Sequence, residues 1–294
     1  MRHLRTFQMI RDVARAGSIR RAAEDMNLTS SALNRQIQAF EADFGVQIFE
    51  RLPRGVRLNP AGELLMQHIQ AQIGDLERVR GQVADLTGER RGHVTIACSQ
   101  ALNPVFLPRE VARYRAEHPG VTFSIRIRDR AEAEHDLSTF ATDLAIVFEP
   151  VYLVDFEVIK AVEQPVSVVM AADHPLAGRD VLRLRDCLAM PHVVPSQEYG
   201  VRHLMELATR RRGYRLDPVL EADSFELMRQ YVLHEKVLSF QIPIGLPTED
   251  PRLVVRPLAS GDVDPGLLLV GQMRGRTLPV ATAKFAQRIA AALS

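Results

Sequence analysis

Polar side chains recur at helical spacing in the segment TSSALNRQIQ. They are Ser30, Ser31, Asn34, Arg35 and Gln38. Leu33 and Ile37 fall between them at the spacing of an opposite, apolar face. Hydroxyl, amide and guanidinium groups can donate hydrogen bonds to phosphates and can contact base edges in the major groove of DNA, which is about 12 Å wide. A solvated helix face contains the same residue types, so this spacing alone leaves both interpretations open.

Motifs typical of catalysis, nucleotide binding or metal binding are absent from the sequence. It contains no GxSxG, no P-loop GxxxxGK[ST] and no GxGxxG after a strand. The nine histidines form no HExxH and no paired spacing with cysteine. His135-Asp136 and His234-Glu235 are isolated pairs, and neighbouring side chains on a helix point apart. We therefore predict no enzymatic activity, no cofactor and no metal site.

Cys98 and Cys187 are the two cysteines of the chain and lie far apart in sequence. Two cysteines are too few for a disulfide framework. Because cysteine is commonly buried, the pattern favours two small core residues, with a redox-sensing pair as the alternative.

Short helices and a hairpin are predicted to position the polar face. Ser18 can cap the second helix and Thr29 the third, and Gly45 can end the third helix. Ala22 and Ala23 are small enough to let two helices cross closely, as a helix-turn-helix requires. The following stretch FERLPRGVRLNP is typical of a hairpin, which would form a wing. Helix-turn-helix patterns also occur by chance in helical proteins, so the motif alone does not decide the function.

One long helix is predicted over residues 60 to 88, beginning at Pro60. Its apolar residues advance by 3.5 positions on average, which is the coiled-coil period. They are Leu65, Ile69, Ile73, Leu76, Val79, Val83 and Leu86. The core face of a globular helix would look similar over so few turns. We favour self-association, because a helix between two domains has little else to pack on.

From His93 onward, strand and helix patterns alternate, which predicts a mostly parallel sheet with helices on both faces. About 200 residues are enough for two lobes. The sequences Glu163-Gln164-Pro165 and Asp264-Pro265-Gly266 are natural points for the chain to cross between them.

Candidate ligand-binding residues lie where these strands end, since ligands bind at the carboxyl ends of parallel strands. They are Ser99, Gln100, Arg128, Phe148, Ser196, Gln197 and Gln241. Ser99 and the amides after it could bind a carboxylate, or Ser99 could simply cap a helix. Arg128 could bind an anion or could be a solvated residue of an edge strand. These side chains hint at a small carboxylate ligand.

Charge is concentrated at the amino end of the chain. The net charge of the whole chain is +1, whereas residues 1 to 59 contain ten arginines and six acidic residues, a difference of +4. Such a basic region suggests a local anionic partner, although a solvated charged face is the alternative. The sequence has no apolar stretch long enough for a membrane span and no apolar block typical of a signal peptide, so we expect a cytoplasmic protein.

The amino-terminal 65 residues resemble the DNA-binding domain of LysR-type transcriptional regulators. The resemblance rests on the opening LRTF, on AGS before the second helix and on AAEDMNLTSSALNRQI, and it continues through FGVQIFER and RGVRLNPAGE. Further along, HPG, DLAIVF and HPLAGRDVLRLRDCLAMPHVV resemble the sensor domain of the same family more loosely.

This resemblance implies an α + α/β fold in three parts. Residues 1–59 would form a winged helix-turn-helix DNA-binding domain, 60–88 a linker and dimerisation helix, and 89–294 an effector-binding domain of two α/β lobes like those of periplasmic binding proteins. The first lobe would cover about 92–163 and 267–294, and the second about 164–266. The implied protein is a bacterial, sequence-specific transcription factor whose small-molecule co-inducer binds between the lobes.

The resemblance also implies site residues and partners. Thr29, Ser30, Ser31, Asn34 and Arg35 would meet the DNA, and Arg51 and Arg54 of the wing would lie along the adjacent backbone or minor groove. The implied partners are double-stranded DNA with an interrupted inverted repeat, the effector, and further copies of the chain in a dimer and then a homotetramer. RNA polymerase is a further candidate partner, and no membrane is involved.

Several positions depart from the family pattern. Asn34 stands where many members have serine and Ser30 where many have glutamine, and both changes would alter which bases are read. Phe40 replaces a common leucine and Asn59 a common threonine, and we interpret both as structural. The stretch VLHEKVLSFQIP replaces a glycine-rich turn. The three lysines all lie beyond residue 159, so arginine must supply the cationic DNA contacts.

Two other classes of function remain as alternatives at this stage. The amino-terminal helices could serve only for assembly of an α/β binding domain or enzyme. Alternatively, the chain could package DNA without sequence preference, which would show a strong salt dependence but little discrimination between sequences.

Overall fold

The computed structural model describes residues 2–53, 55–86, 92–152, 155–246 and 250–293. The chain divides into two compact units. The first comprises Met1–Glu89 with Arg276–Val280, and the second Arg90–Gly275 with Ala281–Ser294.

Three helices open the first unit, and local sequence signals set their ends. They are α1 (Arg2–Ala16), α2 (Ile19–Asp25) and α3 (Ser30–Phe44). Gly17 follows α1 with a φ of 61°, and Gly45 ends α3 in the left-handed conformation that glycine adopts without strain. The Ser18 hydroxyl accepts a hydrogen bond from the Arg21 N–H at 3.4 Å, so it caps α2 as predicted.

A small apolar core holds these helices together. Ala22 and Ala23 are each 1% exposed, so their small side chains allow the close helix crossing that the sequence predicted. Leu33 and Ile37 of α3 are buried in the same core. Phe40 packs its ring edge-on against Phe7 at the margin of this core, with 6.1 Å between ring centroids.

A two-stranded hairpin follows α3. Strands β1 (Phe49–Leu52) and β2 (Gly55–Leu58) pair antiparallel, as the wing prediction required. After the hairpin, the side chain of Asn59 makes two hydrogen bonds of 2.8 Å. Its Oδ1 accepts from the Gly62 N–H, and its Nδ2 donates to the backbone carbonyl of Gln47. Asn59 therefore ties the start of the next helix to the loop before the wing.

Helix α4 (Pro60–Leu86) carries the apolar seam, which divides into two halves. Leu65, Ile69 and Ile73 are buried in the core of the first unit. Leu76 is half-buried, and beyond it Val79 and Val83 are 44% and 54% exposed. The side chain of Leu86, which the sequence also placed in the seam, lies outside the described residues. The amino half of the seam is thus a core face, and its described carboxyl half is open to solvent.

The second unit contains two five-stranded sheets, which we use to define a first and a second lobe. The first sheet comprises β3 (Gly92–Cys98), β4 (Val121–Ile127), β5 (Leu144–Phe148), β6 (Phe156–Gln164) and β12 (Gly266–Met273). The second comprises β7 (Ser167–Ala171), β8 (His192–Pro195), β9 (Leu220–Ala222), β10 (Leu238–Gln241) and β11 (Leu253–Pro257). The strand order is β4-β3-β5-β12-β6 in the first sheet and β11-β7-β10-β8-β9 in the second.

Each sheet is mixed, so the expectation of a mostly parallel sheet was wrong. In the first sheet β3 pairs parallel with β4 and β5, whereas β12 pairs antiparallel with β5 and β6. In the second sheet β8 pairs parallel with β9 and β10, whereas β7 pairs antiparallel with β10 and β11. The sequence analysis did not predict β6, β11 or β12, and all three of these strands pair antiparallel with their neighbours.

Six helices accompany these strands in the described part of the second unit. They are α5 (Phe106–Glu117), α6 (Arg130–Ser138), α7 (Leu184–Leu188), α8 (Gly200–Arg212), α9 (Phe225–Tyr231) and α10 (Val280–Ala292). Four of them, α5, α6, α8 and α9, connect parallel strands. Two short 3₁₀ turns cover Gln100–Leu102 and Pro243–Gly245. Glu110 on α5 is 2% exposed and lies 3.5 Å from Arg288 of α10, so an ion pair joins these two helices.

His174 in the second lobe is expected to make stability depend on pH. It is 3% exposed, and its Nδ1 accepts from the Leu176 N–H at 3.2 Å. Burial lowers the pKa of His174 below the ordinary value of 6.5. The folded protein therefore holds fewer protons than the unfolded chain, so this contribution to stability is complete above about pH 6.5 and is lost as the pH falls toward the folded-state pKa.

We expect the free energy of unfolding to fall by up to about 1.4 kcal/mol per pH unit in this window because of His174. Urea denaturation of wild type and His174→Gln across the acidic range measures the difference in pH dependence. His135→Gln, which changes an exposed histidine, should keep the wild-type dependence. Identical pH dependence in wild type and His174→Gln would contradict the prediction.

Candidate nucleic-acid interface and effector cleft

The polar residues of α3 form one exposed face at the surface of the first unit. Ser30, Ser31, Arg35 and Gln38 are exposed and Asn34 is half-buried. The structure therefore places the predicted DNA-contacting residues of α3 side by side on a single face. The arrangement offers hydroxyl, amide and guanidinium donors at a helix surface, which suits contact with phosphates and base edges.

Thr29 organises the beginning of this face. Its hydroxyl oxygen accepts from the Ala32 N–H at 3.2 Å and lies 3.3 Å from the Ser31 hydroxyl. Thr29 therefore caps α3, as the sequence predicted, and it also fixes the position of Ser31. The amino end of α3 carries partial positive charge from the helix dipole and the first-turn amides, which favours a phosphate there.

The wing approaches α3 through Arg51. This exposed arginine of β1 donates from Nη2 to the side-chain oxygen of Asn34 at 3.3 Å. A second wing arginine, Arg57, is paired with Glu50 at 2.7 Å. The hydrogen bond from Arg57 lowers the pKa of Glu50. Arg54, the other predicted wing contact, lies outside the described residues.

A hydrogen-bonded seam joins the two lobes of the second unit. The Gln100 side chain, at the end of β3, donates to the Asp223 carbonyl at 2.7 Å and accepts from the Phe225 N–H. The Tyr199 hydroxyl donates to the same Asp223 carbonyl at 3.1 Å. Gln100 therefore bridges the two lobes at this point, and Tyr199 shares its acceptor.

Arg130 crosses the same seam. Its Nη1 donates to the Glu149 carbonyl of the first lobe at 2.9 Å, and its Nε donates to the Glu198 carbonyl of the second lobe at 3.1 Å. Within the described parts of the chain, Arg130 has carbonyl partners and no carboxylate within salt-bridge distance. Its positive charge is therefore not neutralised by direct contact.

Two glycines allow the lobes to come this close. A Cβ on Gly245 would overlap the backbone carbonyl oxygen of Ala101 in the first lobe. A Cβ on Gly200 would lie 2.8 Å from the carbonyl oxygen of Phe148, which is also in the first lobe. Real Cβ atoms do not approach backbone atoms so closely, so any other residue at either position would shift the lobes or the segments between them.

The remaining predicted cleft residues fall into two groups. Ser99 and Ser196 are half-buried and Gln197 is exposed, and the hydroxyl of Ser99 makes no capping hydrogen bond to the 3₁₀ turn after it. The other three are buried or already paired. Phe148 is 3% exposed, Gln241 is 5% exposed and donates to the Phe225 carbonyl at 3.2 Å, and Arg128 pairs with Asp136 at 2.8 Å.

Sequence reasoning missed Arg130, Tyr199, Asp223 and the two seam glycines. Arg130 lies two residues beyond Arg128, past the Asp129 cap of α6, so the rule about strand ends pointed to Arg128, which pairs with Asp136, and passed over Arg130. Gly245 offered a weak signal, because a lone glycine among apolar residues often marks a close backbone approach. The pairing of Tyr199 with Asp223 left no signal in the sequence.

Two family models match the chain and together span nearly all of it. One is described as "LysR substrate binding domain" and matches residues 87–294, and the other as "Bacterial regulatory helix-turn-helix protein, lysR family" and matches residues 1–63. The chain belongs to the LysR family. It is a LysR-type transcriptional regulator with an effector-binding domain, which confirms the family, the fold class and the function predicted from the sequence. LysR regulators bind DNA and small-molecule effectors and form oligomers, and the family is not enzymatic.

Curated relatives of this LysR protein are regulators as well. The RuBisCO operon transcriptional regulator of Allochromatium vinosum is 28% identical over 264 residues, covering 90% of this chain and 85% of its own. The probable nitrogen assimilation transcriptional activator of Synechococcus elongatus is 27% identical over 262 residues, covering 87% of this chain and 84% of its own.

Solved structures share the fold at low identity. A full-length cysteine variant of OxyR from Pseudomonas aeruginosa matches with a TM-score of 0.75 at 20% identity, covering 97% of this chain and 94% of that chain. Full-length CbnR in complex with its target DNA matches with a TM-score of 0.64 at 16% identity, covering 99% of both chains.

Among the described residues, no helix is long and apolar enough to span a membrane, and no cluster of His, Cys, Asp and Glu is arranged to hold a metal ion.

Both thiols of this LysR protein are expected to be inert. Cys98 and Cys187 are fully buried, and burial raises the pKa of each thiol to about 12. At neutral pH about one thiol in ten thousand or fewer would be ionised, and the thiolate is the reactive form. We expect negligible labelling of the folded protein by a thiol reagent such as DTNB, and two equivalents after denaturation. Rapid labelling or a fast peroxide reaction of the folded protein would contradict this.

Proposed function

We propose that this regulator binds an interrupted inverted repeat in double-stranded DNA through the exposed polar face of α3. The observation that carries the proposal is the position of Arg35, Ser30, Ser31 and Gln38 on one solvent-exposed helix face beside the wing. In the described part of the chain, Arg35 has no hydrogen-bond or ion-pair partner, so its guanidinium is available to a phosphate or a base edge. Arg54 remains a proposed backbone or minor-groove contact of the wing.

Self-association through α4 would place two such faces on the DNA. Val79 and Val83 leave the described carboxyl half of the apolar seam exposed, and a second copy of the helix would cover it. A dimer related by a two-fold axis matches a DNA site of inverted half-sites. We further propose that the sensor domains pair to form a homotetramer and that the bound regulator contacts RNA polymerase. The proposed location is the cytoplasm, where bacterial DNA lies.

The effector site is proposed at the seam between the lobes. Gln100 and Arg130 already connect the two lobes there, and Tyr199 shares the Asp223 carbonyl with Gln100, so a ligand that replaces these hydrogen bonds would change the relative stability of open and closed arrangements. Such a ligand shifts the equilibrium only by as much as its affinity differs between the two arrangements. Ser99, Ser196 and Gln197 would line the entrance.

A small carboxylate remains the proposed class of effector, and Arg130 is its proposed partner. Arg128, the cation that the sequence suggested, is already paired with Asp136. Thermal shift measurements with small carboxylates and their neutral amides test this assignment. Stabilisation by a carboxylate that is lost in Arg130→Ala supports it, whereas equal stabilisation by the amide contradicts a role for the charge.

The test of DNA recognition is a footprint of the purified full-length protein on its own upstream region, with wild type and Arg35→Ala compared at one salt concentration. We expect a sequence-specific footprint that Arg35→Ala weakens or loses, with affinity reduced by about fivefold or more, because one good base contact contributes about 1–3 kcal/mol. Arg115→Ala, which removes an exposed arginine of the second unit, serves as the control and should leave the footprint intact.

The melting temperature and oligomeric state of Arg35→Ala distinguish a residue that contacts DNA from one that holds the fold together. If Arg35 contacts DNA, Arg35→Ala keeps the wild-type melting temperature and oligomer. A lower melting temperature would make Arg35 a structural residue. Absence of specific binding to the upstream region and to a wider pool of genomic fragments would reject the proposal and leave α3 as an assembly element.

A further inference from the structure

In the part of the chain that the structure describes, the amide of Asn34 is the one group on the polar face of α3 that receives a hydrogen bond from the wing. Asn34 is the fifth residue of α3 and is half-buried, whereas Arg35 and Gln38 beside it are exposed. The Arg51 guanidinium reaches across from β1 and donates to the Asn34 oxygen at 3.3 Å. Two separate elements of the first unit therefore meet at this side chain.

The charge of Arg51 determines which way the amide points. A carboxamide has an oxygen that accepts hydrogen bonds and an NH2 group that donates two. If the amide were rotated by half a turn, its NH2 would face the donating guanidinium, and two donors repel. A hydrogen bond from a charged donor is about twice as strong as a neutral one, so Arg51 selects the orientation with the oxygen toward itself.

The NH2 group of Asn34 remains available to donate hydrogen bonds to DNA. It makes no hydrogen bond to any residue that the structure describes, and it is not enclosed by protein. Arg51 itself is exposed and has no carboxylate partner in the described parts of the chain, unlike Arg57, which is paired with Glu50. The guanidinium is thus free to keep its bond to Asn34 while DNA is bound.

This orientation changes what Asn34 can recognise. A free asparagine pairs with adenine by donating to N7 and accepting from the N6 amino group. When Arg51 occupies one of the two lone pairs of this oxygen, the positive guanidinium beside it disfavours the approach of a second donor such as the N6 amino group of adenine. The side chain then acts mainly as a donor, and guanine presents two acceptors, O6 and N7, at its major-groove edge, whereas cytosine presents an amino donor.

We infer that Arg51 positions the Asn34 amide so that α3 selects guanine, and not adenine, at the base pair that Asn34 meets. This inference rests on the proposed function, since it assumes that α3 enters the major groove. Asn34 is then a specificity-determining residue, and Arg51 is a positioning residue that acts through it. The base preference of one position in the DNA site becomes a property of the wing as well as of the recognition helix.

Selection of preferred sequences from a randomised duplex pool tests the inference, followed by competition binding at fixed salt. Full-length wild type, Asn34→Ala, Asn34→Asp and Arg51→Ala are compared. Asn34→Ala identifies the base pair concerned, because preference should vanish there and persist elsewhere. At that base pair wild type should prefer guanine to adenine by about fivefold or more, the lower end of what a good base contact provides.

The other variants distinguish orientation of the Asn34 amide by Arg51 from a simple attraction between the charge of Arg51 and DNA. Arg51→Ala releases the amide oxygen, so the preference at this base pair should move from guanine toward adenine while the other positions keep theirs. Asn34→Asp keeps an acceptor for Arg51 but removes the NH2 donor, so the guanine preference should be lost. Arg57→Ala, which changes a wing arginine already paired with Glu50, should leave every base preference as in wild type.

Several outcomes would overturn the inference. One is an Arg51→Ala protein that binds all sequences more weakly but still prefers guanine, since Arg51 would then contact only the backbone. Another is an Asn34→Asp protein that keeps the guanine preference, and a third is a wild-type preference for adenine or cytosine at this base pair. Selection of no sequence at all by wild type would reject the proposed function, and the inference with it. Selection of a clear motif without these shifts would reject the inference alone.

Discussion

Replacement of Leu33 by alanine is expected to lower the free energy of unfolding of the first unit by roughly 2–5 kcal/mol. Leu33 is fully buried in the core that joins α3 to the other helices of this unit. Removal of its side chain loses apolar burial and leaves a cavity that close-packed neighbours fill only in part. Because the exposed DNA-binding face lies on the same helix, specific DNA binding should fall along with stability.

Denaturant unfolding of the full-length protein, followed by amide hydrogen exchange, measures this effect unit by unit. Exchange should accelerate in α1 to α4 and remain unchanged in the two sheets of the second unit. Gln36→Ala removes an exposed side chain from the same helix and should change stability by less than about 0.5 kcal/mol. A Leu33→Ala protein as stable as Gln36→Ala would show that α3 is not anchored by this core.

Replacement of Gly245 by alanine is expected to separate the lobes at the seam and to lower the free energy of unfolding by about 1–3 kcal/mol. The added Cβ would overlap the carbonyl oxygen of Ala101, which is backbone and cannot rotate away. Since Ala101 follows Gln100, a shift there should weaken the hydrogen bonds of Gln100 to Asp223 and Phe225.

The amide of Phe225 reports on this change directly. Its hydrogen exchange should be faster in Gly245→Ala than in wild type, because its acceptor belongs to Gln100 of the other lobe. Gly178→Ala provides a matched control, since a Cβ at that glycine meets nothing within 4 Å. If the Phe225 amide of Gly245→Ala exchanges as slowly as that of Gly178→Ala, the close approach does not hold the lobes together.

The helix-turn-helix was predictable because its signals are local. Ser18, Thr29 and Gly45 mark helix ends through contacts with residues three or four positions away, so the sequence contains both partners of each interaction. Ala22 and Ala23 indicated the close crossing by their size alone. The apolar seam of α4 was visible for the same reason, but the sequence could not show that Ile73 would pack into a core while Val83 would remain exposed.

The sheets were harder to predict. Strand β6 is exposed at several positions and β11 is only half-buried, so neither has the continuous apolar run that marked β5 and β8. The direction of a strand depends on where the chain returns from the other lobe, and β12 returns antiparallel to its neighbours β5 and β6. Pairing between strands that lie 100 or more residues apart in the chain produces no periodic pattern in the sequence.

By itself the sequence determined the family, the helix ends, the polar face of α3 and the approximate places where strands end. These features depend on residue type and on neighbours within one or two helical turns. Only the tertiary structure decided which charges are neutralised and which groups remain available. Arg128 and Arg130 look alike in the sequence, yet one pairs with Asp136 and the other bridges two carbonyl groups, and the Asn34 amide is oriented by an arginine 17 residues away. Hydrogen bonds and ion pairs act over a few ångströms, so their partners are determined by how distant segments meet in the folded chain.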